Sequence, residues 1–88
     1  MFAYILRAPG VLANEQTDEF FKRFLEQPGL LHAFDLIGAD DPHDAILVAI
    51  WQDRDAAERY LKEAPLRKEV DQAFPQVTRT MYEVRAGR

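Results

Sequence analysis

Apolar and polar positions follow two different periods along this chain, and the changes of period divide it into six elements. Residues 2–8 are rich in aromatic and branched side chains and end at Pro9-Gly10, which is typical of a strand followed by a turn. Residues 30–37, 45–51 and 77–84 show the same strand character. The stretch between the first two strands and the stretch between the last two carry apolar residues at helical spacing. The predicted order is therefore β-α-β-β-α-β.

Capping chemistry marks the two helices. Asn14 is a good N-cap for the first helix, and Pro28-Gly29 is predicted to stop it at Gln27. Asp53 or Asp55 caps the second helix. Pro65 interrupts this helix and can begin a new helical segment, because proline is tolerated in the first turn of a helix. The apolar stripes of the helices are formed by Thr17, Phe20, Phe21, Phe24 and Leu25, by Ala56, Ala57, Tyr60 and Leu61, and by Leu66, Val70, Ala73 and Phe74.

The simplest architecture with this order is the ferredoxin-like α+β fold, an antiparallel four-stranded sheet with two helices on one face. The 88 residues form one domain, residues 1–88, without repeats or linkers. A domain of this size buries only about 60 % of its unfolded surface, so its own core is marginal. Cysteine is absent, which excludes disulfides and thiolate metal sites. A partner chain is the remaining way to supplement the core.

The third strand gives a second reason to expect a partner, because both of its faces are apolar. One face consists of Ala45, Leu47, Ala49 and Trp51, and the other consists of Ile46, Val48 and Ile50. An antiparallel sheet with one wet face alternates apolar and polar residues instead. We therefore predict a homodimer with Ile46, Val48 and Ile50 in its interface. The alternative is a central strand in a monomer whose open face stays uncovered.

Composition and charge exclude several function classes. The net charge is −4 and the isoelectric point is about 5.0, so the basic patch of a nucleic-acid-binding protein is not expected. No apolar run approaches the roughly 20 residues of a membrane span, and no signal peptide is recognisable, so we expect a cytoplasmic protein without membrane contact. Residues 40–44 contain three aspartates and a histidine, but Pro42 makes them a solvated turn, and we predict no metal site.

Several short motifs resemble the antibiotic biosynthesis monooxygenase family of dimeric α+β barrels. The motifs are Pro28-Gly29-Leu30 before the second strand, Ile46-Leu47-Val48-Ala49-Ile50-Trp51 with Asp53 beyond it, and Ala57, Tyr60 and Leu61 in the second helix. The resemblance covers nearly the whole chain. It implies two sheets facing each other across a dimer, helices outside, and a ligand cavity between sheet and helices in each subunit. It also implies oxygenase chemistry, either on quinols and polycyclic phenols without a cofactor or in haem degradation.

Most reactive positions that the resemblance implies hold different residues here. Trp51 matches the third-strand Trp of the phenol oxygenases, but Leu47 stands at the position of an Asn and Asp71 at that of a substrate-binding Arg. In the haem-degrading branch, a helix Trp becomes Tyr60 and the iron-ligating His becomes Val70. The resemblance therefore gives a scaffold and a cavity, and it provides no haem ligand.

Together, the residues and the resemblance predict a site on the helix side of the sheet. The small alanines beside Trp51 leave room for a ligand, and the predicted pocket consists of Trp51, Tyr60, Ala49, Leu47 and Phe24. His32 is the only histidine within a predicted strand and is the candidate catalytic base, because imidazole commonly accepts protons near neutral pH. The structural alternatives are a core Trp, a rim Tyr and a half-buried His.

The predicted function is that of a cofactor-independent monooxygenase acting on a hydrophobic aromatic small molecule, quinol- or phenol-like. Such an enzyme uses no metal or flavin and supplies a dry cavity and a base. Two alternatives stay open from the sequence. One is a non-catalytic small-molecule-binding or regulatory dimer, and the other is a lyase or isomerase on a related barrel.

Overall fold

The computed structural model describes residues 1–88 and has the element order that the sequence predicts, with the second helix divided in two. The strands are β1 (Phe2–Pro9), β2 (Leu30–Ile37), β3 (Asp44–Trp51) and β4 (Thr78–Glu83). The helices are α1 (Glu15–Phe24), α2 (Arg54–Glu63) and α3 (Pro65–Ala73). The strands form one antiparallel sheet in the order β2-β3-β1-β4, which confirms the ferredoxin-like α+β fold.

Helix length and hydropathy leave no candidate for a membrane span among α1, α2 and α3.

Local capping chemistry explains where the helices begin. The Asn14 side chain accepts a hydrogen bond from the Thr17 backbone N–H at 3.0 Å, and the Thr17 hydroxyl accepts one from the Asn14 N–H at 2.8 Å, which completes a capping box. Of the two candidate caps for α2, Asp53 is the one used, and it accepts from the Ala56 N–H at 2.8 Å. Pro65 opens α3. Helix α1 ends three residues before the predicted Gln27, because residues 26 and 27 already make tighter i→i−3 bonds.

The turn between α1 and β2 brings the backbone close to the start of α2. Gly29 has a φ angle of +83°, and a Cβ atom at this position would lie 2.5 Å from the Ala56 Cβ. Only glycine satisfies both conditions without strain. The Pro28-Gly29 turn therefore sets how closely α2 packs on the sheet.

The sheet has one face covered by the helices and one open face. A core of eight buried residues joins the covered face to the helices: Tyr4, Phe24, Ala49, Trp51, Ala56, Ala57, Tyr60 and Leu66. As the alternation along β3 predicts, Ile46, Val48 and Ile50 lie on the opposite face. Phe34 and Leu36 pair with Val48 and Ile46 there and are 55 % and 46 % exposed. The open face is therefore an apolar surface that this chain does not cover.

A β-bulge interrupts the alternation of side chains along β2. Simple alternation places Leu30 and His32 on the same face, but the register shifts between them. Leu30 pairs with Trp51 and packs against the core, whereas His32 pairs with Ile50 on the open face. Leu31 is the extra residue, and an extra residue reverses the alternation on one side of a bulge.

Candidate functional site

An apolar cavity lies between the covered face of the sheet and helices α1 and α3. Its volume is about 700 Å³, including the part that opens to solvent. Fifteen of its 17 lining residues are hydrophobic, so the cavity suits a ligand with a large apolar surface.

Residue size explains why the space exists. Ala8 and Ala45 face each other across β1 and β3 and both line the floor, and Leu6 and Leu47 form the next pair. Two adjacent methyl side chains leave a depression that larger residues would fill. The opposite wall is aromatic, with Phe20, Phe21 and Phe24 from α1 and Phe74 after α3.

Two polar residues, Thr17 and Asp35, complete the lining. The Thr17 hydroxyl is already engaged, since it accepts from the Asn14 N–H and donates to the Asn14 carbonyl. Asp35 is solvent-exposed and therefore lies at the mouth of the cavity, and its carboxylate makes no hydrogen bond or ion pair within the protein. Partial burial against the apolar wall raises its pKa above the usual range, and the nearby Asp18 carboxylate raises it further. Asp35 is thus the one charged group on the wall, and it lacks a partner.

Tyr60 adds a phenol to the inner part of the wall. Burial raises the pKa of its hydroxyl above the ordinary value, so it stays protonated at physiological pH. The hydroxyl makes no hydrogen bond within the protein, and it can donate one to a ligand oxygen.

Three of the five residues of the predicted pocket line this cavity: Phe24, Leu47 and Tyr60. Trp51 and Ala49 do not, because both are completely buried beneath the wall. The Trp51 ring stacks on Tyr60 with centroids 5.6 Å apart and meets Phe24 edge-on at 5.7 Å. Its indole N–H has no hydrogen-bond partner in the protein. Trp51 therefore supports two residues of the wall from behind.

His32, the predicted base, lies on the other side of the sheet from this cavity. It pairs with Ile50 on the open face, whereas Asp35 pairs with Leu47 on the covered face. The structure therefore does not bring His32 together with Trp51 and Tyr60. The cause is the bulge at Leu31, which turns His32 to the face opposite Leu30, the residue that pairs with Trp51.

Asp35 lines the cavity but is not among the site residues predicted from the sequence. The signal was present, because Asp35 shares a strand face with Ala33 and Ile37 and is the one carboxylate among apolar neighbours. Asp35 is exposed because β2 is an edge strand, but a carboxylate on the helix-covered face still departs from the binary pattern. Such a departure is expected at a functional site.

A charged network lies between α3 and β4, beside the cavity. The Arg79 Nε donates to the Tyr4 hydroxyl at 2.7 Å, and the Asp71 carboxylate lies 2.6 Å from Arg79 Nη1 and 3.3 Å from Arg67 Nε. Burial raises the pKa of Tyr4, so its hydroxyl remains neutral. Asp71, at the position where the resemblance implies a substrate-binding Arg, is therefore engaged in ion pairs.

Elsewhere, no group of three or more His, Asp or Glu side chains is arranged to hold a metal ion. In the turn after β2, the Asp41 carboxylate accepts from the backbone N–H of His43 at 3.0 Å.

The fold and the cavity together define a class, the ferredoxin-like α+β domains with an apolar cavity between sheet and helices. No protein-family model matches the chain, and no curated protein is significantly similar to it in sequence. Solved structures do match. SnoaB, a cofactor-independent oxygenase from Streptomyces nogalater, is 21% identical over 98% of this chain and 94% of its own, with a TM-score of 0.77.

Two further structures extend the comparison. Rv0793 from Mycobacterium tuberculosis has a TM-score of 0.79 at 14% identity, covering 98% of this chain and 96% of its own. A candidate antibiotic biosynthesis monooxygenase from Nitrosomonas europaea has a TM-score of 0.69 at 18% identity, covering 98% and 100%. The likeness is one of fold, and the fold is that of antibiotic biosynthesis monooxygenases, as the sequence resemblance implies.

Proposed function

We propose that this protein is a cofactor-independent monooxygenase that takes a hydrophobic aromatic substrate, quinol- or phenol-like, into the cavity under α1 and α3. The observation that carries the proposal is the lining of that cavity, which is apolar apart from two polar residues and the Tyr60 phenol. The fold shared with SnoaB, a cofactor-independent oxygenase, supports the reaction class.

The chemistry requires an electron-rich substrate and a dry site. A methylene activated by flanking aromatic rings loses a proton, and the resulting carbanion reacts with dioxygen. The methylene becomes a carbonyl that keeps one oxygen atom, and its two hydrogens leave with the other oxygen as water. The cavity contributes by holding the planar rings against Phe20 and Phe24 and by excluding water from the reactive anion. Tyr60 donates a hydrogen bond to the developing oxyanion.

The role of base is not assigned to His32, because the sheet separates it from the cavity. Asp35 is the titratable group that lines the cavity mouth. Its raised pKa makes it a better proton acceptor than an ordinary carboxylate.

We also propose that the open face is covered by a second copy of the chain. Ile46, Val48 and Ile50 form its centre, and Phe34 and Leu36 extend it with exposed apolar surface. Contiguous apolar surface of this kind is typical of an interaction site. Burial in a homodimer would also supplement the small core of a domain of 88 residues.

Oxygen consumption with anthrone as substrate tests the reaction. The protein should accelerate oxygen uptake above the rate of the protein-free solution. With ¹⁸O-labelled dioxygen, anthraquinone should carry one labelled oxygen. A rate equal to that of the protein-free solution, for anthrone and for naphthohydroquinone alike, would contradict the proposal.

A non-catalytic small-molecule-binding protein is the second candidate. It is favoured by Leu47, an apolar cavity residue at the position where the resemblance implies an Asn. Tight binding of anthrone without oxygen uptake would support this candidate instead.

A further inference from the structure

We propose that Asp35 is the polar anchor of the cavity. Its carboxylate accepts a hydrogen bond from a hydroxyl group on an aromatic ligand, and it makes the cavity select neutral hydroxylated ligands over carboxylated ones. The inference rests on the proposed use of the cavity as the ligand site, and it names the substrate class and the residue that determines it.

The strand register places the carboxylate at the cavity. Asp35 pairs with Leu47, and its neighbour on the same face, Ile37, pairs with Ala45. Leu47, Ile37 and Ala45 all line the cavity. The side chain of Asp35 therefore projects from the edge strand toward the mouth, where a ligand would enter beneath α1.

The carboxylate has unused hydrogen-bonding capacity. An ionised carboxylate offers about four acceptor sites, and none of those on Asp35 is used within the protein. The Thr17 hydroxyl, the other polar group of the lining, is committed to the cap of α1. A hydroxyl group on a ligand would supply the donor that Asp35 lacks, and hydrogen bonds to charged groups are stronger than neutral ones.

The charges around the cavity exclude anions. The lining contains no lysine, arginine or histidine. The neighbouring Asp18 carboxylate adds to the negative potential at Asp35. The nearest cations, Arg67 and Arg79, are already paired with Asp71, so a ligand carboxylate entering this mouth would meet a like charge, which penalises its binding.

Three naphthalene probes of nearly equal size separate these contributions: naphthalene, 2-naphthol and 2-naphthoate. Calorimetric titration of the protein at neutral pH should show 2-naphthol binding about tenfold more tightly than naphthalene, the low end for a hydrogen bond to a charged group. 2-Naphthoate should bind most weakly. In Asp35→Leu the advantage of 2-naphthol should vanish, and in Asp35→Asn the penalty on 2-naphthoate should shrink.

Asp18→Asn is the matched control, because it removes the same charge from a residue that does not line the cavity. It should keep the preference for 2-naphthol over naphthalene. The proposal is overturned if the wild-type protein binds the two equally, or if Asp18→Asn abolishes the preference as fully as Asp35→Leu.

Oxygen uptake distinguishes this proposal from the proposed function. Equal binding of naphthalene and 2-naphthol alongside oxygen uptake with anthrone would remove the anchor and leave the oxygenase. A preference for 2-naphthol that depends on Asp35, without oxygen uptake, would support the anchor and contradict the oxygenase. Failure of all three probes to bind would overturn the anchor and remove the cavity as the ligand site.

Discussion

Replacing Trp51 tests whether its ring supports the cavity wall or borders the cavity. The ring is completely buried, stacks on Tyr60 and meets Phe24 edge-on, and these two partners line the cavity while Trp51 does not. Trp51→Ala should therefore destabilise the fold strongly. Trp51→Phe should keep an aromatic ring behind the wall and leave ligand affinity nearly unchanged.

The magnitude follows from two opposing terms. Deleting a buried aromatic ring costs about 3–5 kcal/mol through lost burial and the cavity that remains. The indole N–H is buried without a hydrogen-bond partner, and removing such a group relieves about 1 kcal/mol, the low end of the cost of a buried unpaired group. The net cost of Trp51→Ala is then about 2–4 kcal/mol, and each kcal/mol lowers Tm by about 4–8 °C in a domain of this size. Trp51→Phe should cost about 1–2 kcal/mol, because most of the ring contact remains.

Urea unfolding followed by far-ultraviolet circular dichroism measures both costs, since Trp51 is the only tryptophan and its fluorescence is lost in the variants. Calorimetric titration with 2-naphthol measures affinity. A cost below about 0.5 kcal/mol for Trp51→Ala, the range of ordinary surface substitutions, would show that the ring is not part of the core. A tenfold loss of 2-naphthol affinity in Trp51→Phe would show that Trp51 contacts the ligand.

Three further predictions concern the partner, a helix cap and acid stability. Light scattering should give the wild-type protein twice the 10.2 kDa mass of one chain. Val48→Asp should dissociate or unfold the dimer, since an unpaired buried charge costs several kcal/mol. A Val48→Asp variant of normal size and normal stability would refute the proposed interface. Asn14→Ala should cost about 1 kcal/mol in urea unfolding, and an unchanged free energy of unfolding would contradict the role of the capping box. The hydrogen bond from Arg23 lowers the pKa of Glu69, so this pair stabilises the fold fully above the unfolded pKa of about 4.3, and the stabilisation is lost as pH falls through the folded pKa. In acid titrations, the free energies of unfolding of the wild-type protein and Glu69→Gln should therefore differ above the folded pKa and converge below it. High salt should reduce the difference, because it screens the ion pair.

Local chemistry made most of the fold predictable. Asn14 caps α1, Pro65 opens α3, and the two-sided apolar pattern of β3 places Ile46, Val48 and Ile50 together. These features depend on residues that are close together along the chain, so one amino-acid sequence suffices to predict them. The end of α1 was less predictable, because the transition from α-helical to tighter hydrogen bonds after Phe24 depends on how the following turn packs.

The site was predictable only in part, because depth in a protein depends on tertiary packing. Helical and strand periods bring Phe24, Leu47 and Tyr60 to the cavity side, but they do not show that Trp51 lies one layer deeper. Alternation alone put Leu30 and His32 on one face, and the bulge at Leu31 separates them.

We propose the cavity under α1 and α3 as the site of oxygenation, and a variant in which this cavity is filled tests that proposal. Ala45 lies on the cavity floor, so Ala45→Phe would occupy the space, whereas Ala86→Phe makes the same change in the exposed segment after β4. Circular dichroism establishes that both variants are folded. Oxygen uptake with anthrone should fall at least about tenfold in Ala45→Phe, the effect of roughly 1.4 kcal/mol in the barrier, and should stay at the wild-type rate in Ala86→Phe. Equal rates of catalysed oxygen uptake in the folded Ala45→Phe variant and the wild-type protein would contradict the proposal that this cavity is the site of oxygenation.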